Sequence, residues 1–95
     1  MLNGKQKRHL RALGNTQKAL FQIGKEGLSI NLFDTIKDSL EAHELVKISV
    51  LKTCSTDIKE LSFDLARNTK SEVVQIIGRT ILLYRVSKER RIELP

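Results

Sequence analysis

The chain has 95 residues, 40% hydrophobic and 29% charged, with one cysteine and a net charge of +6. That length supports one hydrophobic core and not two. No apolar run approaches the ~20 residues of a membrane-crossing helix, no apolar h-region follows the basic N-terminus as in a secretory signal, and Cys54 has no second cysteine for a disulfide or zinc site. The expectation is a cytoplasmic protein with no membrane association and no cofactor.

The charge is unevenly placed. Residues 1–25 carry six basic side chains and no acid; residues 26–66 carry four basic and eight acidic ones; residues 67–95 carry seven basic and three acidic ones. If the two basic ends meet in space, the molecule is two-sided, and its field draws polyanions to one side.

Residues 2–13 have helical spacing. Leu2, Gln6, His9, Leu10 and Leu13 gather on one face, and Lys5, Lys7, Arg8 and Arg11 on the other. Gly14-Asn15 suits a left-handed helix end, and His9 is expected at the core edge. Residues 19–23 form a short strand. Gly24-Lys25-Glu26-Gly27 follows as a turn whose glycines allow positive φ and close backbone approach. Ser29 is a good N-cap for a second helix over 30–42, with Leu28, Leu32, Ile36 and Leu40 inward. The unpaired amides at that N-terminus suit a phosphate. Asp34, Asp38 and Glu41 make the opposite face acidic, so a polyanion should avoid it.

Residues 45–51 alternate as a strand, with Val46, Ile48 and Val50 on one side and Lys47 and Ser49 on the other. Asp57 and Glu60 resemble a capping box for a third helix that buries Ile58, Leu61 and Leu65; Phe63 falls off that seam. Residues 72–77 and 80–86 read as strands covered on both faces, joined at Gly78-Arg79 by a type II′ hairpin. A basic tail closes the chain. The order predicts an α/β fold: a compact α-β-α-β-α-β-β two-layer sandwich with a mixed four-stranded sheet, the domain over 1–86 and the tail over 87–95.

A nucleophilic enzyme needs Ser or Cys beside an oriented histidine. His9 and His43 have no such partner in the sequence, no ligand spacing for a metal and no dinucleotide fingerprint is present, and no enzyme activity is expected. Phosphate contacts from the basic segments fit better. Aromatic residues are only 4% of the chain, so base stacking should not dominate, and backbone and shape recognition of structured RNA follows.

Several segments together resemble a known family. They are Lys5-Gln6-Lys7-Arg8-His9-Leu10-Arg11, Ile23-Gly24-Lys25-Glu26-Gly27-Leu28, Ala42-His43-Glu44-Leu45-Val46-Lys47, Val73-Val74-Gln75-Ile76-Ile77-Gly78-Arg79 with Leu83-Tyr84-Arg85, and Ile92-Glu93-Leu94-Pro95. Spread over essentially the whole chain, they are similar to stand-alone bacterial CRM domain proteins of the YhbY type. The resemblance implies a fold like the C-terminal domain of a bacterial translation initiation factor, with a KH-like Gly-x-x-Gly loop. It also implies association with ribosomal RNA in precursors of the large ribosomal subunit. Gly24, Lys25, Glu26 and Gly27, with Lys5, Lys7, Arg8 and Arg11, carry over as the RNA-binding set. Lys18 joins them by charge. Arg79 and Arg85 match family positions, with a structural role equally open. Glu26 departs from an all-basic loop and cancels the charge of Lys25. The expected protein is a monomer. Two other readings are a module docking an acidic protein surface and an Alba-like DNA-binding protein.

Overall fold

Apolar spacing decides where the elements fall in the computed structural model, which describes residues 2–95; Met1, placed in the domain by sequence, lies outside the described residues. The elements are α1 (Gly4–Gly14), β1 (Phe21–Ile23), α2 (Ile30–His43), β2 (Leu45–Val50), α3 (Ile58–Thr69), β3 (Glu72–Ile77) and β4 (Thr80–Tyr84). The four strands form one mixed sheet in the order β1-β2-β4-β3.

Strands separated by a helix are expected to be parallel neighbours, and β1 and β2 do pair in parallel across α2. β3, however, does not lie beside β2. β4 returns between them, antiparallel to both. Burial explains the choice. Ile81, Leu82, Leu83 and Tyr84 are all buried, so β4 takes a central position, whereas β3 carries Glu72 and Gln75 and takes an edge. Gly78 adopts φ +56 at the hairpin, as the first central residue of a type II′ turn must.

Alternation along the strands divides the core in two. Val46, Ile48, Val50, Ile81 and Leu83 face α2 and α3, where Ile36, Leu40, Leu61, Leu65 and Cys54 complete the main cluster. Leu45, Val74, Leu82 and Tyr84 face the other way and pack against Leu10 of α1. The first helix thus adds a partial third layer to the expected sandwich.

Two details of α1 differ from expectation. Leu13 is 37% exposed and His9 is exposed, while Gly14 is buried. A Cβ at Gly14 would stand 2.6 Å from Leu82 Cδ2. The missing side chain lets the end of the helix settle on the sheet, which turns Leu13 outward. The helix also ends without a left-handed residue, since Asn15 has φ −61. Its start is a full capping box between Asn3 and Gln6.

Residues 87–95 fold back onto the α1 side, where Ile92 and Leu94 join Leu10 and Tyr84. Their anchor is Glu44, fully buried and at φ 66 where α2 passes into β2. Its carboxylate accepts from the N–H of Ser87 at 2.7 Å and of Ile92 at 2.6 Å. Burial alone would raise the carboxyl pKa. Hydrogen bonds from the Ser87 N–H and hydroxyl and from the Ile92 and Arg91 N–H groups outweigh it and hold the pKa below its ordinary value. Burial, reinforced by the Glu44 charge, pushes the Tyr84 phenol up.

Candidate nucleic-acid interface

The turn after β1 assigns its two glycines different work. The Gly27 N–H donates to the Gly24 carbonyl at 3.0 Å, closing a four-residue turn. Gly27 takes φ +67, which an L side chain enters at a cost of about 1–2 kcal/mol. Gly24 is instead a point of close approach, since a Cβ there would meet Leu51 Cδ1 at 3.4 Å and Thr53 Oγ1 at 3.5 Å. Lys25 and Glu26 stand exposed at the tip. The Ser29 hydroxyl accepts from the Leu32 N–H at 3.1 Å, so this cap occupies one amide of the α2 N-terminus that the sequence reading left for a phosphate.

β1 and β2 are parallel, so the glycine turn, the exit from β2 with Lys52, and the Gly78-Arg79 hairpin share one end of the sheet. Arg79 is committed there. Its Nε donates to the Val50 carbonyl at 3.0 Å and its guanidinium to the Leu51 carbonyl at 2.7 Å. Arg85 lies six residues further along, about 20 Å away at ~3.3 Å per residue. It donates to the Thr69 carbonyl at 3.3 Å and meets Glu41 at 3.9 Å. The fold therefore brings Arg79 to the glycine turn and keeps Arg85 at the opposite end.

On α1, Lys5 and Arg8 are exposed, and Lys7 and Arg11 are half-buried at the flanks of the packed face. Gly14 sits over Leu82, whose ladder partner is Lys47. From that level Gly24 is two strands across and four residues along, about 16 Å in the plane of the sheet. The exposed Lys18 lies on the connecting segment, which is tied down where Lys47 Nζ donates to the Gln17 carbonyl at 3.2 Å. Lys47 and Lys52 were missing from the sequence-derived set. The strand alternation sets Lys47 opposite Val46 and Ile48; Lys52 lies beyond β2 and had no such signal.

Charge follows the layers. Residues 2–25 and 45–53 build α1, β1 and β2 with eight basic residues and no acid, and the β3–β4 hairpin adds Arg79; the nearby acids are Glu26 at the tip of the glycine turn and Glu72 at the start of β3, whose carboxylate accepts from the Leu2 N–H at 3.0 Å. Asp34, Asp38 and Glu41 lie on α2, and Asp57, Glu60 and Asp64 at the cap and along α3, across the sheet. Among the described residues the ion pairs are Arg85–Glu41 and Arg91–Glu89, so the cations of α1 and the turn carry no internal partner. No group of three or more His, Cys, Asp or Glu among the described residues is placed to hold a metal ion, and no helix is long and apolar enough to cross a membrane.

Comparison with known proteins agrees with this layout. The chain is 46% identical to the probable RNA-binding protein YqeI of Bacillus subtilis, over the full length of both chains. It is 35% identical to an RNA-binding protein of Haemophilus influenzae, over 99% of this chain and 95% of that one. The solution structure of the hypothetical protein SAV1595 of Staphylococcus aureus, described as a candidate RNA-binding protein, superposes with a TM-score of 0.84 at 50% identity, covering both chains completely. These relatives are named as RNA-binding proteins and not as enzymes. The sequence model of the CRS1/YhbY (CRM) domain matches residues 2–85, and the chain belongs to that family.

Proposed function

We propose that this protein binds structured RNA through the α1 side of its sheet and the glycine turn, and that it does so as a cytoplasmic monomer docking ribosomal RNA in a precursor of the large subunit. The observation that carries the reading is the excess of cations on α1, β1 and β2, which carry eight basic residues and no acid over 2–25 and 45–53, set across the sheet from the acidic α2 and α3. Lys5, Arg8 and Lys18 capture the phosphate backbone, with Lys7 and Arg11 at the flanks of the helix. Gly24 and Gly27 then let the RNA backbone approach the turn, where the protein's own main chain makes the contact. The acidic α2 and α3 layer repels phosphate and so orients the complex.

The test is a titration of structured RNA at several salt concentrations. Four phosphate contacts give a slope of log K against log salt of about −3 to −4. Gly27→Asp places one negative charge near the RNA backbone, worth about 1 kcal/mol at 4 Å in water and hence about a fivefold loss of affinity. A flat salt response would remove the phosphate-led interface. Unchanged affinity in the Gly27 variant would remove the turn from it. Sedimentation of the protein with precursor large subunits, abolished by nuclease, tests the ribosomal assignment.

A further inference from the structure

The sheet face just beyond the end of α1 is open, and a cavity of about 140 Å³ lies there. Gly14 and Asn15 at the end of α1 line it together with the buried Leu82 and with Ile77, which is 59% exposed. Gln75 of β3 and Thr80 of β4 face into it from neighbouring strands, and Lys47 of β2 borders it.

Three properties define what fits. The first is size. An apolar cavity of about 150 Å³ takes up benzene, while pockets for larger ligands run to about 300–1,000 Å³; one aromatic ring fits here, and a whole nucleotide does not. The second is hydrogen bonding. The side chains of Asn15, Gln75 and Thr80 engage no protein partner among the described residues. Lys47 uses one of its three donors on the Gln17 carbonyl. A carboxamide offers a donor and an acceptor side by side, the complement of a pyrimidine's pairing edge. The third is charge. The cavity lies at the C-terminal, negative end of α1, which disfavours a full anionic charge, while the Lys47 ammonium in its lining can donate to a carbonyl oxygen of a neutral ring.

The geometry points to a site for one unpaired pyrimidine base, extruded from the bound RNA and seated between the end of α1 and the β3–β4 hairpin. This rests on the RNA-binding reading above and adds to it a direct base contact, of the kind that unpaired nucleotides permit.

The experiment compares a fully paired RNA hairpin with the same hairpin carrying one unpaired uridine. The unaltered chain should bind the second about five- to thirtyfold more tightly, as one or two net hydrogen bonds are worth. In the double variant Gln75→Leu, Thr80→Val the ratio should fall to about one, since shape is kept and the polar edge is lost. A fluorinated uridine at the unpaired position should shift its fluorine resonance on binding the unaltered chain, and the same label inside the paired stem should not. That measurement decides the matter even where a substitution costs the fold. A ratio of one in the unaltered chain, a ratio that survives in the double variant, or an unmoved fluorine resonance would overturn the base site while leaving phosphate binding intact. Absence of binding to either hairpin would overturn the RNA reading and the base site together.

Discussion

Replacing Glu44 by Gln tests the buried anchor of the C-terminal segment. Both carboxylate oxygens accept backbone N–H groups, Oε2 from Ser87 at 2.7 Å and Oε1 from Ile92 at 2.6 Å. Glutamine keeps the shape but supplies only one oxygen, so its NH₂ must face one of those donors. One buried N–H is then unpaired, at about 1–3 kcal/mol, and the remaining bond loses its charge assistance. The sum is about 2–4 kcal/mol, a large share of the ~5–15 kcal/mol typical of a domain. At about 4–8 °C per kcal/mol for this size, the Tm should fall by about 8–32 °C. Urea unfolding measures the loss, and hydrogen exchange locates it. The amides of Ser87 and Ile92 should lose protection before those of β2 and β4. A loss below about 1 kcal/mol, or unchanged exchange at Ser87 and Ile92, would show that the carboxylate does not hold the segment.

The same carboxylate predicts a pH dependence. Its folded pKa is lowered from 4.5, so its contribution is complete above the unfolded value and is lost as pH falls through the folded one. The urea midpoint should drop on acidification below about pH 4.5, and Glu44→Gln should remove that component. Gly14→Ala should destabilise by about 1 kcal/mol, because its Cβ meets Leu82 at 2.6 Å and the overpacking exceeds the gain in helix propensity. Gly4→Ala, where a Cβ meets nothing within 4 Å, should stabilise by about 0.5 kcal/mol; thermal melts separate the two. Arg79→Lys should cost about 1–2 kcal/mol in urea unfolding, since a single ammonium cannot serve the Val50 and Leu51 carbonyls in the fork geometry of a guanidinium.

Local chemistry made much of this fold legible. The Ser29 cap, the inward Ile36 and Leu40, the alternation of Val46, Ile48 and Val50, and the hairpin at Gly78 are all decided by residues within a few positions of one another. The misreadings concern contacts that are distant in sequence. Nothing beside Gly14 says that Leu82 will lie beneath it, so the glycine read as a helix end, which it is, and not as a packing contact, and Leu13 read as core. Nothing beside Glu44 says that Ser87 and Ile92 will reach it. The structure shows it, because the passage from α2 into β2 takes φ 66 at a non-glycine residue. A side chain retained where glycine is favoured points to work done by that side chain. The candidate site divides in the same way. The basic α1 and the glycine turn were visible as motifs, but only the sheet register shows Arg79 beside the turn and Arg85 at the far end.

The anchor and the basic surface are mechanically connected. α1 is held by Leu10, by Gly14 against Leu82, and by a small cluster that includes Ile92 and Leu94. Those last two are held in turn by Glu44 through residues 87–92. A short helix dense in like charge repels itself and gains little from its own propensity. Its position over the sheet therefore depends on this second, smaller core. The acidic layer contributes the complement, because its carboxylates stand across the sheet and do not neutralise α1. A fold with its helices on one face alone would have to crowd both signs together. Placing α1 on the opposite face lets one small domain keep a cationic surface intact and still bury enough apolar area to hold it in place.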